Sequence, residues 1–272
     1  MNEASPELSN QRAPRAVAAR RLASRSYRSK QRLFLAEGPQ AVREAADADG
    51  VLVELFATAE AAERHDDIVA TARKQGAKLT LATPELVASL SETVTPQGLI
   101  GVCRFLDVPL AEFLARHRPK LVAILAHVRD PGNAGTVIRC ADAAGADLVV
   151  VTAESVDVYN PKAVRASAGS LFHVPVAVEV TAQDAVAALR AAGLRILAAD
   201  GTGAADLDDE LDAGTLARPT AWLFGNEAWG LPEALLTLAD EAVRVPIHGR
   251  AESLNLATAA AVCLYSSARA QR

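Results

Sequence analysis

The stretch Leu121-Val122-Ala123-Ile124-Leu125-Ala126-His127-Val128-Arg129-Asp130-Pro131-Gly132-Asn133-Ala134-Gly135 decides the fold class of this 272-residue chain. Its first six residues are an unbroken apolar run, the mark of a strand covered on both faces within a parallel sheet. A sharp polar loop follows and leads into a helix that carries Arg139 and Cys140 and ends near Gly145. Leu148 to Val151 is a second buried strand. Strand, loop, helix, strand is a βαβ unit, and its loop lies at the carboxyl end of the first strand, where open α/β sheets bind ligands. Asp130, Asn133 and Gly135 space short polar groups and glycine as a tight, backbone-exposing turn requires. Arg139, six residues beyond Asn133, can point back at the same mouth and suits an anion. A salt bridge to Asp130 or Asp142 is the plainer use of that arginine.

Downstream, Tyr159 to Gly169 is a stretch of basic and small residues, with Lys162 and Arg165 three apart on one helical face. Val174–Val178 and Arg195–Ala199 read as strands around a helix ending at Gly193. Acids dominate Asp200–Asp212, expected as a solvated stretch. Ala221-Trp222-Leu223-Phe224 then runs into Gly225-Asn226-Glu227-Ala228-Trp229-Gly230-Leu231-Pro232, where the two glycines let backbone approach a ligand. Glu227 between them is equally readable as a helix N-terminal charge. Finally Val245-Pro246-Ile247 ends a strand, a polar loop follows, and Ser253 is expected to cap a helix running to about Ala268. By itself this last unit suits any α/β protein.

Upstream, residues 1–13 lack an apolar period and are expected to be disordered. A helix is predicted over Ala16–Tyr27, with Arg20, Arg21 and Arg25 on one flank. Leu33–Ala36, Val51–Ala57, Lys78–Ala82 and Leu99–Phe105 read as strands. Helices are expected from Pro39, over Ala59–Gln75 with Gly76 beyond its end, and over Pro84–Leu90. The chain divides accordingly into a basic, partly disordered arm (1–32), a small α/β module (33–108), a linker (109–119) and a larger parallel α/β domain (120–272). Nothing in the small module looks catalytic.

Half the residues are hydrophobic and only 4% aromatic, so the core is built from Ala, Val and Leu. No apolar run reaches the length of a membrane span, and the N-terminus lacks the apolar segment of a secretory signal. Cys103, Cys140 and Cys263 are dispersed in apolar segments, which fits buried thiols in a reducing cytoplasm rather than a disulfide frame. The five histidines show no ligand spacing, and no metal is expected. The net charge of −5 hides a basic start, since Arg12–Arg32 holds seven arginines and one lysine without an acid. Such an arm, including Arg28, suits contact with a polyanion; a solvated tail is the plain alternative.

Three stretches together carry a resemblance: Asp130-x-x-Asn133-x-Gly135-x-x-x-Arg139, Leu223-Phe224-Gly225-Asn226-Glu227-x-x-Gly230-Leu231, and Val245-Pro246-Ile247 through Ser253-Leu254-Asn255. In order and spacing they resemble the three motifs of the SpoU/TrmH branch of the SPOUT methyltransferases, over about Lys120–Ala268. Phe34-Leu35-Ala36-Glu37-Gly38 and Val94-Thr95-Pro96-Gln97-Gly98 resemble the ribosomal-protein-like substrate-binding domain preceding many members, while residues before about Leu33 show no match. The resemblance implies an α/β domain with a deep trefoil knot, a homodimer, and S-adenosyl-L-methionine as cofactor. It also implies transfer of a methyl group to a ribose 2′-hydroxyl of RNA, with 23S ribosomal RNA the first choice. A tRNA substrate, an antibiotic-resistance role, or an inactive RNA-binding assembly factor are the alternatives. Asn133, Arg139, Glu227, Ser253 and Asn255 match the catalytic positions, where the arginine is proposed to activate the hydroxyl with help from an RNA phosphate. Leu197, Gly225, Val245, Ile247 and Leu254 match cofactor contacts made largely by backbone. Arg20, Arg21, Arg25, Arg28, Lys162 and Arg165 are the expected RNA contacts.

Overall fold

The predicted strands form two separate sheets in the computed structural model, which describes residues 7–272. The chain through Leu106 together with Tyr159–Phe172 makes one unit, and Asp107–Val158 with His173–Arg272 makes the other.

In the first unit the order is α1 (Pro14–Arg21), α2 (Arg25–Gln31), β1 (Leu33–Glu37), α3 (Pro39–Asp47), β2 (Leu52–Ala57), α4 (Ala59–Arg64), α5 (Asp66–Lys74), β3 (Lys78–Leu81), α6 (Pro84–Leu90) and β4 (Leu99–Arg104). The sheet order is β1-β4-β2-β3, with β4 antiparallel to both neighbours and β2 parallel to β3. Two expectations need correcting. The helix expected over Ala59–Gln75 breaks at His65, whose φ of −122° is not helical. Arg64 closes one helix and Asp66 and Asp67 open the next, so each end carries the charge that its helix dipole favours. The basic start is also no loose arm across its described residues. Leu8 bonds to both sides of Ala82, and Ala16, Ala19 and Leu22 are buried with Leu86, Val87 and Leu90. The part of the disorder expectation that covers residues 1–6 lies outside the described residues. Tyr159–Phe172 joins this unit through aromatic packing: Tyr159 stacks on Phe105 at 3.7 Å between centroids and lies 4.8 Å from Phe34.

The remaining elements are α7 (Leu110–Arg116), β5 (Leu121–Leu125), α8 (Pro131–Ala144), β6 (Leu148–Thr152), α9 (Pro161–Ala166, within the first unit), β7 (Val176–Val180), α10 (Ala182–Ala191), β8 (Arg195–Ala199), β9 (Ala205–Asp206), α11 (Leu207–Asp212), β10 (Thr220–Phe224), α12 (Glu233–Leu236), β11 (Glu241–Arg244) and α13 (Leu256–Ala270). The stretch read as a linker holds α7, whose Leu110 and Phe113 are buried in the core of the second unit. The acidic stretch read as solvated supplies the short edge strand β9 and α11, anchored by buried Leu207.

All seven strands of the second sheet run parallel, in the order β7-β6-β5-β10-β8-β11-β9. Every residue of β5, β6 and β10 is buried, as their continuous apolar runs require. From β5 the chain moves outward through β6 and β7, crosses to β8 on the other side, and later inserts β10 between β8 and β5. The carboxyl ends of β5 and β10 therefore flank a topological switch point. Helices α8 and α13 pack together, and the residues they bury include the small Ala134, Gly135, Ala141, Ala260 and Ala268. The buried indole N–H of Trp222 donates to Ser267 Oγ at 2.8 Å, tying β10 to α13.

Candidate active site

The site is built where four loops leave the carboxyl ends of β5, β8, β10 and β11. Past β5, His127 takes a left-handed φ of 58°, which a side chain rarely adopts. Its carbonyl accepts a 2.9 Å bond from Asn226 Nδ2, so the turn is fixed by the neighbouring loop. Asp130 then caps α8 by accepting from Asn133 N at 2.8 Å, with Pro131 in the first turn. After β10, Gly225 and Gly230 close a tight loop: Asn226 and Gly230 exchange backbone bonds of 2.8 and 2.9 Å. A Cβ on Gly225 would lie 2.5 Å from the Gly230 carbonyl, so only glycine fits.

That loop aims Glu227 across the switch point. Its carboxylate accepts the Arg129 and Asp130 backbone N–H groups at 3.4 and 3.2 Å and Asn133 Nδ2 at 3.1 Å. Asn133 Oδ1 in turn accepts from Asn255 Nδ2 at 3.2 Å. Asn255, not Ser253, caps the last helix, through Oδ1 to Ala257 N at 2.9 Å. The first expectation was two residues early because Ser253 and Asn255 are both good caps, and the loop continues past the serine.

Beside this chain of polar groups lies a cavity of about 440 Å³. Gly225, Glu227, Val245, Ile247, Ser253, Leu254 and Asn255 all line it. Leu197 does not: it sits inside β8 between Trp222 and Glu241, with no exposed surface. Ala199, Asp200 and Gly201, where β8 ends, line the cavity instead. The sequence signal for them was present, since a strand ending at Ala199 in a parallel sheet puts its next residues at the mouth. Asp200, Glu227 and Glu252 are its acids, and no basic side chain among the described residues lines it.

Arg139 stands apart from this cluster. It is exposed on α8, and its side chain makes no hydrogen bond or ion pair among the described residues, to Asp130 or Asp142 included. The thiols are not nucleophile candidates. Burial pushes Cys263 up to about 12 and raises Cys103 further, and half-burial raises Cys140 against the lowering effect of Arg139. Among the described residues no group of acids, histidines and cysteines could hold a metal, and no helix is long and apolar enough to cross a membrane.

The expected RNA contacts are scattered over several uses. Arg28 is buried and donates to the Leu22 and Ala23 carbonyls, both at 2.7 Å, so it braces the turn between α1 and α2 and is not a surface cation. Arg20 donates to Ser89 and Gln11, and Arg21 lies 4.2 Å over the Tyr27 ring. Arg25 and Lys162 are exposed, and Arg165 pairs with Glu37 at 3.5 Å within the first unit.

Residues 120–265 match the SpoU rRNA Methylase family, and residues 14–101 match the MRM3-like substrate binding domain. The chain belongs to the SpoU rRNA methylase family. The second match starts at residue 14, so α1 and α2, set apart from the sequence as an arm without a counterpart, fall within it. A Bacillus subtilis relative named 23S rRNA (guanosine(2553)-2′-O)-methyltransferase RlmP is 32% identical over 90% of this chain and 92% of its own. An AdoMet-bound rRNA methyltransferase from Sinorhizobium meliloti has a TM-score of 0.83 at 31% identity, covering 97% of both chains. The SpoU methyltransferase AviRb of Streptomyces viridochromogenes, in complex with AdoMet, has a TM-score of 0.79 at 30% identity, covering 95% of this chain and 98% of its own. The sequence expectations of a SPOUT-type α/β fold, a preceding substrate-binding domain, an RNA 2′-O-methyltransferase and an S-adenosylmethionine cofactor agree with these SpoU relatives.

Proposed function

We propose that this SpoU-family enzyme transfers the methyl group of S-adenosylmethionine to a ribose 2′-hydroxyl of 23S ribosomal RNA. The reading is carried by one observation: Asn133, Glu227 and Asn255, from three separate motifs, are joined by hydrogen bonds of 3.1 and 3.2 Å beside the cavity. The cavity fits the cofactor in kind. Val245, Ile247 and Leu254 offer apolar wall, Gly225 leaves backbone exposed where no side chain fits, and the surrounding charge is acidic, suited to a cation. When bound, the cofactor supplies a methyl group already activated on its sulfonium.

The chain's own residues do the rest. Glu227 holds the Arg129–Asp130 backbone and the Asn133 amide in one orientation, so the carboxylate positions the acceptor side of the site. Asn255 and Ser253 bound the same mouth from the start of α13. A ribose hydroxyl is a weak nucleophile, so its proton must be taken or polarised as it attacks. A guanidinium is a persistent cation, so Arg139 orients the hydroxyl and stabilises the charge that develops on its oxygen, while the proton leaves to an RNA phosphate oxygen or to water. Alignment of attacker and methyl accounts for much of the remaining acceleration.

Arg139 lies outside the cluster in one protomer, and Val262 and Tyr265 on the adjacent α13 are 37% and 52% exposed. Both facts support a homodimer in which a site is completed from two copies. The family relationship and the packing of α13 on α8 support a knotted C-terminus. RNA contact by Arg25 and Lys162 rests on their exposure, and a cytoplasmic location on the rRNA-modifying relatives.

Arg139→Ala tests the mechanism. Methylation of unmodified 23S rRNA should fall by about 10²–10³-fold, while calorimetry shows S-adenosylmethionine bound as by the parent protein. Undiminished turnover in that variant removes Arg139 from the chemistry.

A further inference from the structure

The first unit holds a cleft of about 330 Å³ that none of the catalytic motifs touches. Glu37 and Gly38 at the end of β1, Thr93, Thr95 and Gln97 of the loop before β4, and Arg165 of α9 line it. The cleft is a built feature. Glu37 Oε1 accepts from the hydroxyls of Ser91 and Thr93, which fixes the loop, and Oε2 accepts from Arg165 Nη1 at 3.5 Å. Gln40 Nε2 donates to the Ala168 carbonyl at 2.9 Å, closing the far side. Gly38 has φ +89°, a conformation that side chains rarely adopt, and a Cβ there would lie 3.0 Å from Gln97 Oε1.

The lining defines a ligand class. The one carboxylate is already occupied by two hydroxyls and an arginine, so no unopposed acid repels a polyanion. Arg165 spends one of its five N–H donors on Glu37 and remains 37% exposed. The Gln97 side chain is exposed and makes no hydrogen bond among the described residues, so it offers a donor and an acceptor side by side, the pairing that reads a base edge. Val94 at the tip of the same loop is 99% exposed, an apolar wedge of the kind that slips between base steps. The volume is at the small end of ligand sites, room for one nucleotide and not for a duplex.

We infer that this cleft seats a single unstacked nucleotide of the RNA, separate from the nucleotide that is methylated. Gln97 hydrogen-bonds the base edge, Arg165 faces its phosphate, and Val94 fills the gap left in the stack. Splayed bases of loops and bulges are what sequence-specific RNA recognition usually reads. The inference rests on the reading of RNA as substrate and adds an anchor that selects which RNA enters.

The test uses the full-length protein and an in-vitro transcript of 23S rRNA. Gln97→Ala should weaken binding of the transcript about tenfold, and Thr95→Glu, which adds a carboxylate at an exposed position, should weaken it further. Calorimetric affinity for S-adenosylmethionine and the thermal midpoint should stay at parent values in both. Chemical probing should show one base protected by the parent protein and reopened by Gln97→Ala, away from the methylated ribose. Transcript affinity within twofold of the parent in both variants, or protection unchanged by them, overturns the anchor even where the parent methylates normally. Loss of cofactor binding or methylation in the parent itself would instead strike the proposed function.

Discussion

The two clefts differ in charge: one is acidic and the other carries a paired acid and base. The cavity of the second unit is lined by Asp200, Glu227 and Glu252 and by no basic side chain among the described residues, whereas the single acid of the first-unit cleft is paired with Arg165. A cationic sulfonium cofactor suits the first kind of surface and a polyanionic RNA the second. The same residue type does different work in each: Glu227 holds backbone N–H groups and an amide beside an open cavity, and Glu37 ties a loop to an arginine. The lesson is that a charged side chain is informative only with its partners. The arginines near the N-terminus make the point again, since Arg15, Arg20 and Arg28 are bonded to the chain's own groups.

The comparison breaks most severely at Glu227. Glu227→Ala leaves the Arg129 and Asp130 N–H groups and the Asn133 amide without their acceptor, and methylation should drop at least about 100-fold. Glu227→Gln retains one acceptor oxygen and should recover part of that loss. Steady-state assays of the two variants decide it; equal activity of Ala and Gln would mean the carboxylate positions nothing. A smaller effect is expected at Asp200, whose Oδ1 is held by Thr202 N at 2.8 Å. Asp200→Asn removes one negative charge from the cavity, so affinity for S-adenosylmethionine should fall by about threefold to tenfold, in line with one partly screened charge. Affinity for the RNA transcript should not move. A change in RNA binding with cofactor affinity intact would reverse the assignment of the two clefts.

The parallel sheet was legible because its strands are buried on both faces and therefore read as unbroken apolar runs, with polar loops at their carboxyl ends. Asn133, Glu227 and Asn255 were legible as short polar residues in those loops. Other features depended on contacts that a linear pattern does not show. Leu197 lies in a strand leading to the right region, yet it is fully buried within the sheet between Trp222 and Glu241, and the cavity begins only at Ala199. Arg28 looked like its exposed neighbours until Leu22, its partner carbonyl, proved to be a core residue. Tyr159–Phe172 follows a strand of the second sheet but packs with the first unit, because Phe34 and Phe105 supply the aromatic surface that Tyr159 covers. The break at His65 had a visible signal in the Arg64 and Asp66–Asp67 charge reversal, outweighed by the continuous helical propensity around it.

The central claim is that the polar cluster and cavity methylate a ribose oxygen of ribosomal RNA. Incubation of the purified protein with unmodified 23S rRNA and methyl-labelled S-adenosylmethionine, followed by digestion to nucleosides, tests it directly. The label should appear in a single 2′-O-methyl nucleoside, at a position resistant to alkaline hydrolysis. Label on a base, or none above a no-enzyme control despite cofactor binding, would contradict the account.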